Sequence, residues 1–278
     1  MIILRKVCVA SLAFLASLAT HSIAAEVHIP NIIKIDACSS DPLRLGVSRT
    51  VIINTQNGPQ FGDPNDTSHG KTIDFLKDGE VILTFDDGPH GIYTIPILRA
   101  LKTHCTKATF FMVGKMAAAY PAIVKEIATD GHTIGSHTLS HKNLKKINIM
   151  KGQQELENGI SEVIKANGGP IAPFFRFPFL NNNNAVEEYA KTRNISTFWV
   201  DVDSKDYLTH NPTIVHKRIM AQLSRKHKGI ILMHDVQPST AKAIMGLLDA
   251  LRDKGFKVVH MVPRALIATK TESFSQTK

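Results

Sequence analysis

Two neighbouring aspartates follow an apolar stretch of strand length. Asp86 and Asp87 stand in the segment Thr84-Phe85-Asp86-Asp87-Gly88-Pro89. Asp-Gly-Pro is also favourable turn chemistry, so a simple turn after a strand is the alternative interpretation. Adjacent carboxylates repel each other when both are charged, unless a cation offsets the repulsion. A metal ion bound by one aspartate, with the other acting as a base, would resolve this conflict.

A pair of histidines offers further ligands for such an ion. His137 and His141 are four residues apart, and on a helix they would share one face. The spacing alone is a weak indication in a chain with 13 histidines, and no glutamate follows His137 as in His-Glu-x-x-His zinc proteases. With one aspartate, the pair forms a triad that leaves metal positions open for water and substrate. His132, on the strand side, is expected to be structural.

Strands and helices alternate regularly from Glu80 onward. Seven apolar runs have the length of strands: Val81–Phe85, Ala108–Val113, Thr133–Ile134, Phe174–Phe177, Ser196–Val202, Ile230–Met233 and Val258–Met261. Six segments between them have helical spacing: Tyr93–Thr103, Met116–Asp130, Met150–Asn167, Ala185–Arg193, Pro212–Lys226 and Ala241–Lys254. This alternation predicts an α/β fold in which helices cover parallel strands. Seven strands favour an incomplete barrel, and a flat doubly wound sheet is the alternative.

Ionisable residues stand at the ends of five of these strands. They are Asp86 and Asp87, His137, Arg176, Asp203 with Asp206, and His234 with Asp235. Parallel α/β folds bring the carboxyl ends of their strands to one rim, where active sites are built. The sequence therefore predicts an active site at this rim.

These motifs, in this order, resemble those of the polysaccharide deacetylases that share the nodulation-type chitooligosaccharide deacetylase domain (NodB homology domain, carbohydrate esterase family 4). The resemblance covers roughly residues 79–265. Five motif regions carry it: Thr84–Pro89, His137–His141, Arg176–Phe179, Asp203–Tyr207 and Ile231–Asp235. It implies a distorted (β/α)7 barrel, to which the present chain would add an N-terminal extension.

The resemblance also implies a metal-dependent site. Asp87, His137 and His141 would bind one divalent metal ion, usually zinc and sometimes cobalt or another ion. Asp86 would be the general base, and Arg176 would keep it oriented and ionised. A metal-bound water has a lowered pKa and can attack an amide near neutral pH.

The remaining roles that the resemblance implies concern the leaving group and the acyl pocket. His234 would be the general acid, with its pKa adjusted by Asp206, and a nearby carboxylate does favour imidazolium. The backbone N–H of Phe179 would stabilise the oxyanion. Leu232 and Tyr207 would shape the pocket for the acetyl methyl group.

The chain departs from the family pattern at four positions. Phe179 replaces a tyrosine, Leu180 a glycine and Tyr207 a tryptophan, and Lys142 follows the second histidine where serine or proline is frequent. These changes bear on the shape of the acyl pocket and on substrate preference. They leave every proposed chemical group present.

The first 25 residues have the pattern of a secretory signal peptide. Arg5 and Lys6 precede an apolar run over residues 7–19, and Ala24-Ala25 supplies small residues for cleavage. The run is shorter than the roughly 20 residues of a membrane span, and an uncleaved anchor is the alternative. We therefore expect an exported protein, periplasmic or secreted, with no stable membrane span after cleavage.

The remainder is predicted to contain three parts. Residues 26–78 form an ordered N-terminal extension, residues 79–269 the deacetylase domain, and residues 270–278 a polar tail. Cys38 and Cys105 are the two cysteines left after cleavage, and they could form one disulfide bond with each other.

Composition narrows the binding partners. Without the two basic residues of the signal, 31 basic residues face 24 acidic ones, a formal charge of +7. A basic exported protein tends toward anionic surroundings such as envelope polymers, and the scattered Lys and Arg argue against nucleic acid.

The expected activity is N-deacetylation of a GlcNAc-containing glycan, with peptidoglycan favoured over chitin-like or exopolysaccharide substrates. O-deacetylation of an acetylated glycan and an inactive glycan-binding module are the alternatives.

Overall fold

The computed structural model describes residues 43–66, 68 and 70–269. The predicted signal peptide, the first part of the predicted extension and the predicted polar tail lie outside the described residues. Within the described ranges, no helix combines the length and the apolar character needed to cross a bilayer.

The described chain alternates between strands and helices. Its strands are β1 (Arg49–Ile53), β2 (Gln60–Phe61), β3 (Glu80–Asp86), β4 (Thr109–Met112), β5 (Thr133–Ser136), β6 (Phe174–Phe175), β7 (Ser196–Phe198), β8 (Val202–Asp203), β9 (Gly229–His234) and β10 (Lys257–Pro263). Its α-helices are α1 (Thr94–Thr103), α2 (Gly114–Ala119), α3 (Pro121–Thr129), α4 (Ile149–Asn167), α5 (Asn184–Thr192), α6 (Pro212–Lys226) and α7 (Pro238–Asp253).

All the paired strands belong to one parallel sheet. The order β8-β9-β3-β4-β5-β6-β7-β2 forms the curved wall, and β10 joins it at the start of β3 and carries β1. The predicted α/β fold with parallel strands is confirmed. The hydrogen-bonded sheet does not close, because β7 pairs with β6 and β2 whereas β8 pairs with β9.

That opening explains one difference from the predicted elements. The run Ser196–Val202, predicted as one strand, forms the two short strands β7 and β8 on either side of the opening. Within the break, the indole N–H of Trp199 donates to Gln60 Oε1 at 2.7 Å, and Asp201 Oδ2 accepts from the backbone N–H of Ile230 at 2.6 Å. The chain therefore leaves the pairing of β7 with β6 and β2 and, as β8, pairs with β9.

The predicted helix Met116–Asp130 is also two helices, α2 and α3. Pro121 is the first residue of α3, and Tyr120 before it has φ −130° and ψ 55°. Proline has no N–H and disfavours helical backbone in the residue before it. The helix therefore stops and restarts at this position.

Alternate residues of β3 face two environments. Ile82 belongs to an apolar cluster formed almost wholly by strand residues, including Ile230 of β9. Thr84 and Asp86 follow at two-residue intervals and so lie on the same face as Ile82. The other face packs against the helices through Val81, Leu83 and Phe85. The interior of the curved sheet is thus apolar at the start of β3 and polar at its end.

The described part of the predicted extension is joined to this sheet. β1 pairs in parallel with β10, and β2 pairs in parallel with β7. Arg49 of β1 also bonds Glu80 of β3 at 2.6 and 2.7 Å. The boundary near residue 78 stays a prediction. Cys105 is disulfide-bonded, and Cys38, the partner suggested by the sequence, lies outside the described residues.

Candidate active site

The ends of β3 and β9 meet at the rim predicted from the sequence. In the register of these strands, Asp86 is paired with His234 and Thr84 with Leu232. Two ionisable residues that are distant in the chain are therefore direct neighbours. Burial raises the pKa of Asp86 to about 6, against the lowering effect of the Arg176 charge.

Arg176 crosses the interior of the curved sheet. Its side chain is 0% exposed, and its guanidinium lies 4.3 Å from the centre of the Phe111 ring. Nη1 donates to Asp86 Oδ1 and to Thr84 Oγ1, both at 2.8 Å, and Nε donates to the carbonyl oxygen of Phe198 at 3.1 Å. These bonds fix one carboxylate oxygen of Asp86. Oδ2 remains on the side of His137, 3.9 Å from its Nε2.

Three of the predicted site residues offer ligand atoms to one point. One atom each from Asp87, His137 and His141 lies within 4.8 Å of the others. Asp87 Oδ1 is 3.5 Å from Nε2 of His137 and 3.2 Å from Nε2 of His141. The Oδ1 atom is buried and has no hydrogen-bond partner among the residues that the structure describes.

The surroundings of His137 suit a metal ligand. Its Nδ1 lies 2.7 Å from the carbonyl oxygen of Arg176, which accepts a hydrogen bond only if Nδ1 carries the proton. Nε2 then carries no proton, and its lone pair is available to a metal ion on the side of Asp87. This is the arrangement common for ligating histidines. Burial and the charge of His141 hold the pKa of His137 well below its ordinary value. The donor set of two imidazoles and one carboxylate fits a divalent ion such as zinc.

The segment that carries both histidines is a turn, so the helical geometry considered for it is wrong. Thr138 and His141 have positive φ angles of 70° and 56°. Glu155 of α4 holds the turn by accepting from the backbone N–H and the hydroxyl of Ser140 at 2.9 and 2.7 Å. Gly159 of α4 permits this close approach, because a Cβ there would lie 2.4 Å from the carbonyl carbon of Thr138.

His234 is paired with a buried carboxylate. Its Nδ1 lies 2.6 Å from Asp206 Oδ1, and its backbone N–H donates to Asp206 Oδ2 at 2.7 Å. Thr240 also donates to Oδ2. Burial lowers the pKa of His234, but the hydrogen bond and charge of Asp206 outweigh it and raise the pKa to about 9. Burial raises the pKa of Asp206, and its bonds to His234 and Thr240 lower it below the ordinary value.

An aromatic side chain lies beside each of two histidines at the rim, His141 and His234. Phe179, 63% exposed, lies edge-on to His141 with ring centres 4.6 Å apart. Tyr207, 52% exposed, lies edge-on to His234 with ring centres 5.6 Å apart. Leu232 is buried between β3 and β8, opposite Thr84.

Sequence reasoning gave no role to two residues behind this site. Asp235 was recognised only as part of a strand end, and Thr94 only as part of a helix. In the structure, Thr94 Oγ1 donates to Asp235 Oδ2 at 2.7 Å, and both are buried. The one sequence signal for this contact is a second acidic residue directly after His234.

The protein-family model described as polysaccharide deacetylase matches residues 76–198. A peptidoglycan-N-acetylglucosamine deacetylase of Listeria monocytogenes is 34% identical over 182 residues, which are 64% of this chain and 37% of the relative. A peptidoglycan-N-acetylglucosamine deacetylase of Bacillus cereus is 32% identical over 188 residues, which are 65% of this chain and 66% of the relative.

A solved structure of a peptidoglycan deacetylase of Bdellovibrio bacteriovorus matches with a TM-score of 0.70 and 31% identity. The match covers 81% of this chain and 61% of that one. The chain belongs to the polysaccharide deacetylase family. The predicted family membership is thereby confirmed, and the fold matches the barrel-like architecture of the family.

Proposed function

We propose that this protein is a metal-dependent N-deacetylase of a GlcNAc-containing glycan. The observation that carries the proposal is the convergence of Asp87, His137 and His141 beside the neighbouring pair Asp86 and His234. Such a site holds an ion, a base and an acid within one rim, as amide hydrolysis requires. The names of the Listeria and Bacillus relatives support the same reaction class.

The first half of the reaction is the attack of water on the acetyl carbonyl. A divalent ion, with zinc proposed, would be held by Asp87, His137 and His141 and would lower the pKa of water and polarise the carbonyl. Asp86 takes the proton of the attacking water through Oδ2, because Oδ1 is occupied by Arg176. The backbone N–H of Phe179 is proposed to donate to the developing oxyanion.

The second half is the departure of the amine. An amine leaves readily only when it is protonated, so His234 donates the proton through Nε2. Asp206 occupies Nδ1 and keeps the imidazole both oriented and protonated. Leu232 and Tyr207 are proposed to contact the acetyl methyl group. Water and the N-acetyl sugar give acetate and the free amino sugar.

A basic segment beside the site supports an anionic glycan such as peptidoglycan. Lys142, Lys145 and Lys146 follow His141 and are all exposed. Asn143 and Leu144 accept hydrogen bonds from Asn181 and Asn183, at 3.4 and 2.9 Å, which ties this segment to the one that contains Phe179. Peptidoglycan carries free carboxylates on its stem peptides, and these complement the lysines. Action on such a polymer would require export of the protein, as the first 25 residues suggest.

The test of the activity is acetate release from N-acetylglucosamine oligomers and from peptidoglycan. We expect release by the wild-type protein, its loss on chelation and its loss in Asp87→Ala. Lys217→Ala, on the exposed side of α6, is the control and should leave release unchanged. Acetate release that survives both chelation and Asp87→Ala would end the proposal. Faster release from acetylated xylan would indicate an esterase, and binding without turnover in the metal-loaded protein an inactive binding module.

The substrate preference has a separate test. Replacing Lys142, Lys145 and Lys146 together by Gln should raise KM for peptidoglycan fragments about tenfold at low salt, while KM for neutral oligomers stays unchanged. The matched control replaces the exposed Lys125 of α3, Lys217 of α6 and Lys254 directly after α7, and removes the same charge. Equal effects of the two triple variants would contradict a local role for the basic segment.

A further inference from the structure

Asp235 is a buried carboxylate beside the first motif that the proposed reaction does not use. It follows His234 at the end of β9 and is 1% exposed. A carboxyl group in such a place is unfavourable unless its partners compensate for the loss of water. The partners of Asp235 belong to the segment that follows Asp87.

The first partner is the backbone of Gly88. A Cβ added to Gly88 would lie 2.0 Å from Oδ2 and 2.1 Å from Oδ1 of Asp235. The carboxylate therefore occupies the space that a side chain at residue 88 would need. On its carbonyl side, Gly88 accepts a hydrogen bond from the N–H of Val113 at 3.2 Å. The residue next to Asp87 is thus held between Asp235 and Val113.

The second partner is Thr94, the first residue of α1. Its Oγ1 donates to Asp235 Oδ2 at 2.7 Å and accepts from the backbone N–H of His90 at 2.7 Å. Asp235 therefore contacts Gly88 directly and reaches His90 through one hydroxyl group. Both ends of the short segment after Asp87 are fixed by the same carboxylate.

Asp87 needs such support because its backbone is unfavourable. Its φ angle is +76°, a conformation that residues other than glycine seldom adopt and that persists only when the surroundings determine it. This conformation directs Asp87 Oδ1 toward the Nε2 atoms of His137 and His141. We propose that Asp235 is a positioning residue, which holds the backbone of residues 87–90 so that Asp87 meets both histidines. The inference rests on the proposed function only for the metal that these three residues would bind.

The test is a Zn²⁺ titration of the purified full chain, with Asp235→Ala compared with Asp235→Asn. We expect Asp235→Ala to bind zinc about 10- to 100-fold more weakly, the range seen when outer partners of metal ligands are removed. Asp235→Asn should bind more tightly than Asp235→Ala, because the amide oxygen can still accept from Thr94. At saturating zinc, most of the lost kcat should return.

Thr94 gives a second pair of variants if Asp235→Ala does not fold. Thr94→Val keeps the shape and removes the hydroxyl, whereas Thr94→Ser keeps the hydroxyl. Zinc affinity should fall in Thr94→Val and be close to wild type in Thr94→Ser. Circular dichroism and thermal unfolding without metal establish which variants are folded.

A merely structural role would lower the unfolding temperature and leave zinc affinity intact. Folded Asp235→Ala or Thr94→Val with wild-type zinc affinity would therefore overturn the inference, as would a loss of kcat that saturating zinc does not restore. A wild-type protein that binds zinc but releases no acetate would end the proposed function and leave the positioning role standing on the titration. A wild-type protein that binds no zinc would end both.

Discussion

Two histidines at the rim, the buried His137 and the partly buried His234, differ in the atom that their Nδ1 contacts. The Nδ1 of His137 lies 2.7 Å from a backbone carbonyl oxygen, and that of His234 lies 2.6 Å from a carboxylate oxygen of Asp206. Burial lowers the pKa of His137, and the hydrogen bond to the Arg176 backbone, which raises it, is too weak to compensate. At His234 the hydrogen bond and the charge of Asp206 reverse the same effect and raise the pKa to about 9.

The difference suits the two histidines to opposite purposes in the proposed reaction. A neutral imidazole offers a lone pair to a metal ion, and a protonated imidazole offers a proton to a leaving group. A carbonyl oxygen fixes the tautomer without adding a full charge, whereas a carboxylate also stabilises the cation. The chemistry of each histidine is therefore decided by its neighbour.

The largest effect is expected from removal of the neutral histidine. His137→Ala deletes one of the three proposed metal ligands, and losing metal-ion catalysis worth about 4 kcal/mol should lower kcat/KM about a thousand-fold. Dialysis against a chelator should produce a similar loss in the wild type. His216→Ala on α6 is the matched control and should keep both activity and zinc affinity. Tight zinc binding by His137→Ala would contradict its assignment as a ligand.

A smaller effect with a distinct signature is expected at the other histidine. Asp206→Asn removes the charge that holds His234 protonated, so kcat should fall about 100-fold, within the usual range for general acid catalysis. In the wild type, the active imidazolium is present at lower pH and is lost as pH rises through about 9. In Asp206→Asn this loss should move to lower pH, because the largest opposition to burial, the hydrogen bond and charge of Asp206, is removed and only the charges of Asp87 and Asp86 remain to raise the pKa.

The pH dependence of kcat measures this shift. Asp203→Asn is the matched control, since Asp203 accepts from the backbone N–H of Lys205 at 2.8 Å and, within the described structure, forms no hydrogen bond or ion pair with His234. Its profile should coincide with that of the wild type. An unchanged alkaline limb in Asp206→Asn would separate Asp206 from the acid function of His234.

An effect on stability, with activity at neutral pH unaffected, extends the comparison to two buried histidines away from the rim. Burial lowers the pKa of His132 to about 3 and that of His260 to about 4. Between their ordinary value of 6.5 and these values, the unfolded state binds protons that the folded state does not. Stability should therefore fall as pH falls from about 6.5 to 4, by up to about 1.4 kcal/mol per pH unit for each histidine.

Urea unfolding at a series of pH values tests this expectation. His260→Gln should reduce the dependence of the unfolding free energy on pH by the share of one histidine, whatever its stability at neutral pH. His210→Gln, at an exposed position, should leave the dependence unchanged. If the unfolding free energy of His260→Gln depends on pH as strongly as that of the wild type, then His260 does not contribute to the pH dependence of stability.

The active-site rim could be predicted from the sequence because each strand end that contributes to it is a local sequence feature. An apolar run followed directly by an ionisable residue is visible in the chain, and parallel topology then brings the carboxyl ends together. Asp86, Arg176 and His234 were located in this way. The α/β class follows from the same alternation of strands and helices.

What the sequence could not show depends on contacts between distant segments. The register that sets Asp86 beside His234 is decided by the whole length of β3 and β9. The four-residue spacing of His137 and His141 suited a helix, but Glu155 and Gly159 of α4 favour a turn with two positive φ angles. The link from Asp235 to Gly88 likewise exists only in three dimensions.

The filled interior of the curved sheet limits how a polymer can be processed. Arg176 and the ring of Phe111 occupy the space beneath Asp86, whereas His141 and Asp87 are partly open to solvent. A polysaccharide chain cannot pass through this filled interior, so the proposed glycan substrate would lie across the open rim and insert a single acetamido group into it. In that geometry the proposed enzyme would gain nothing from chain ends, and it would reach sugars in the middle of a long polysaccharide as readily as those at its termini.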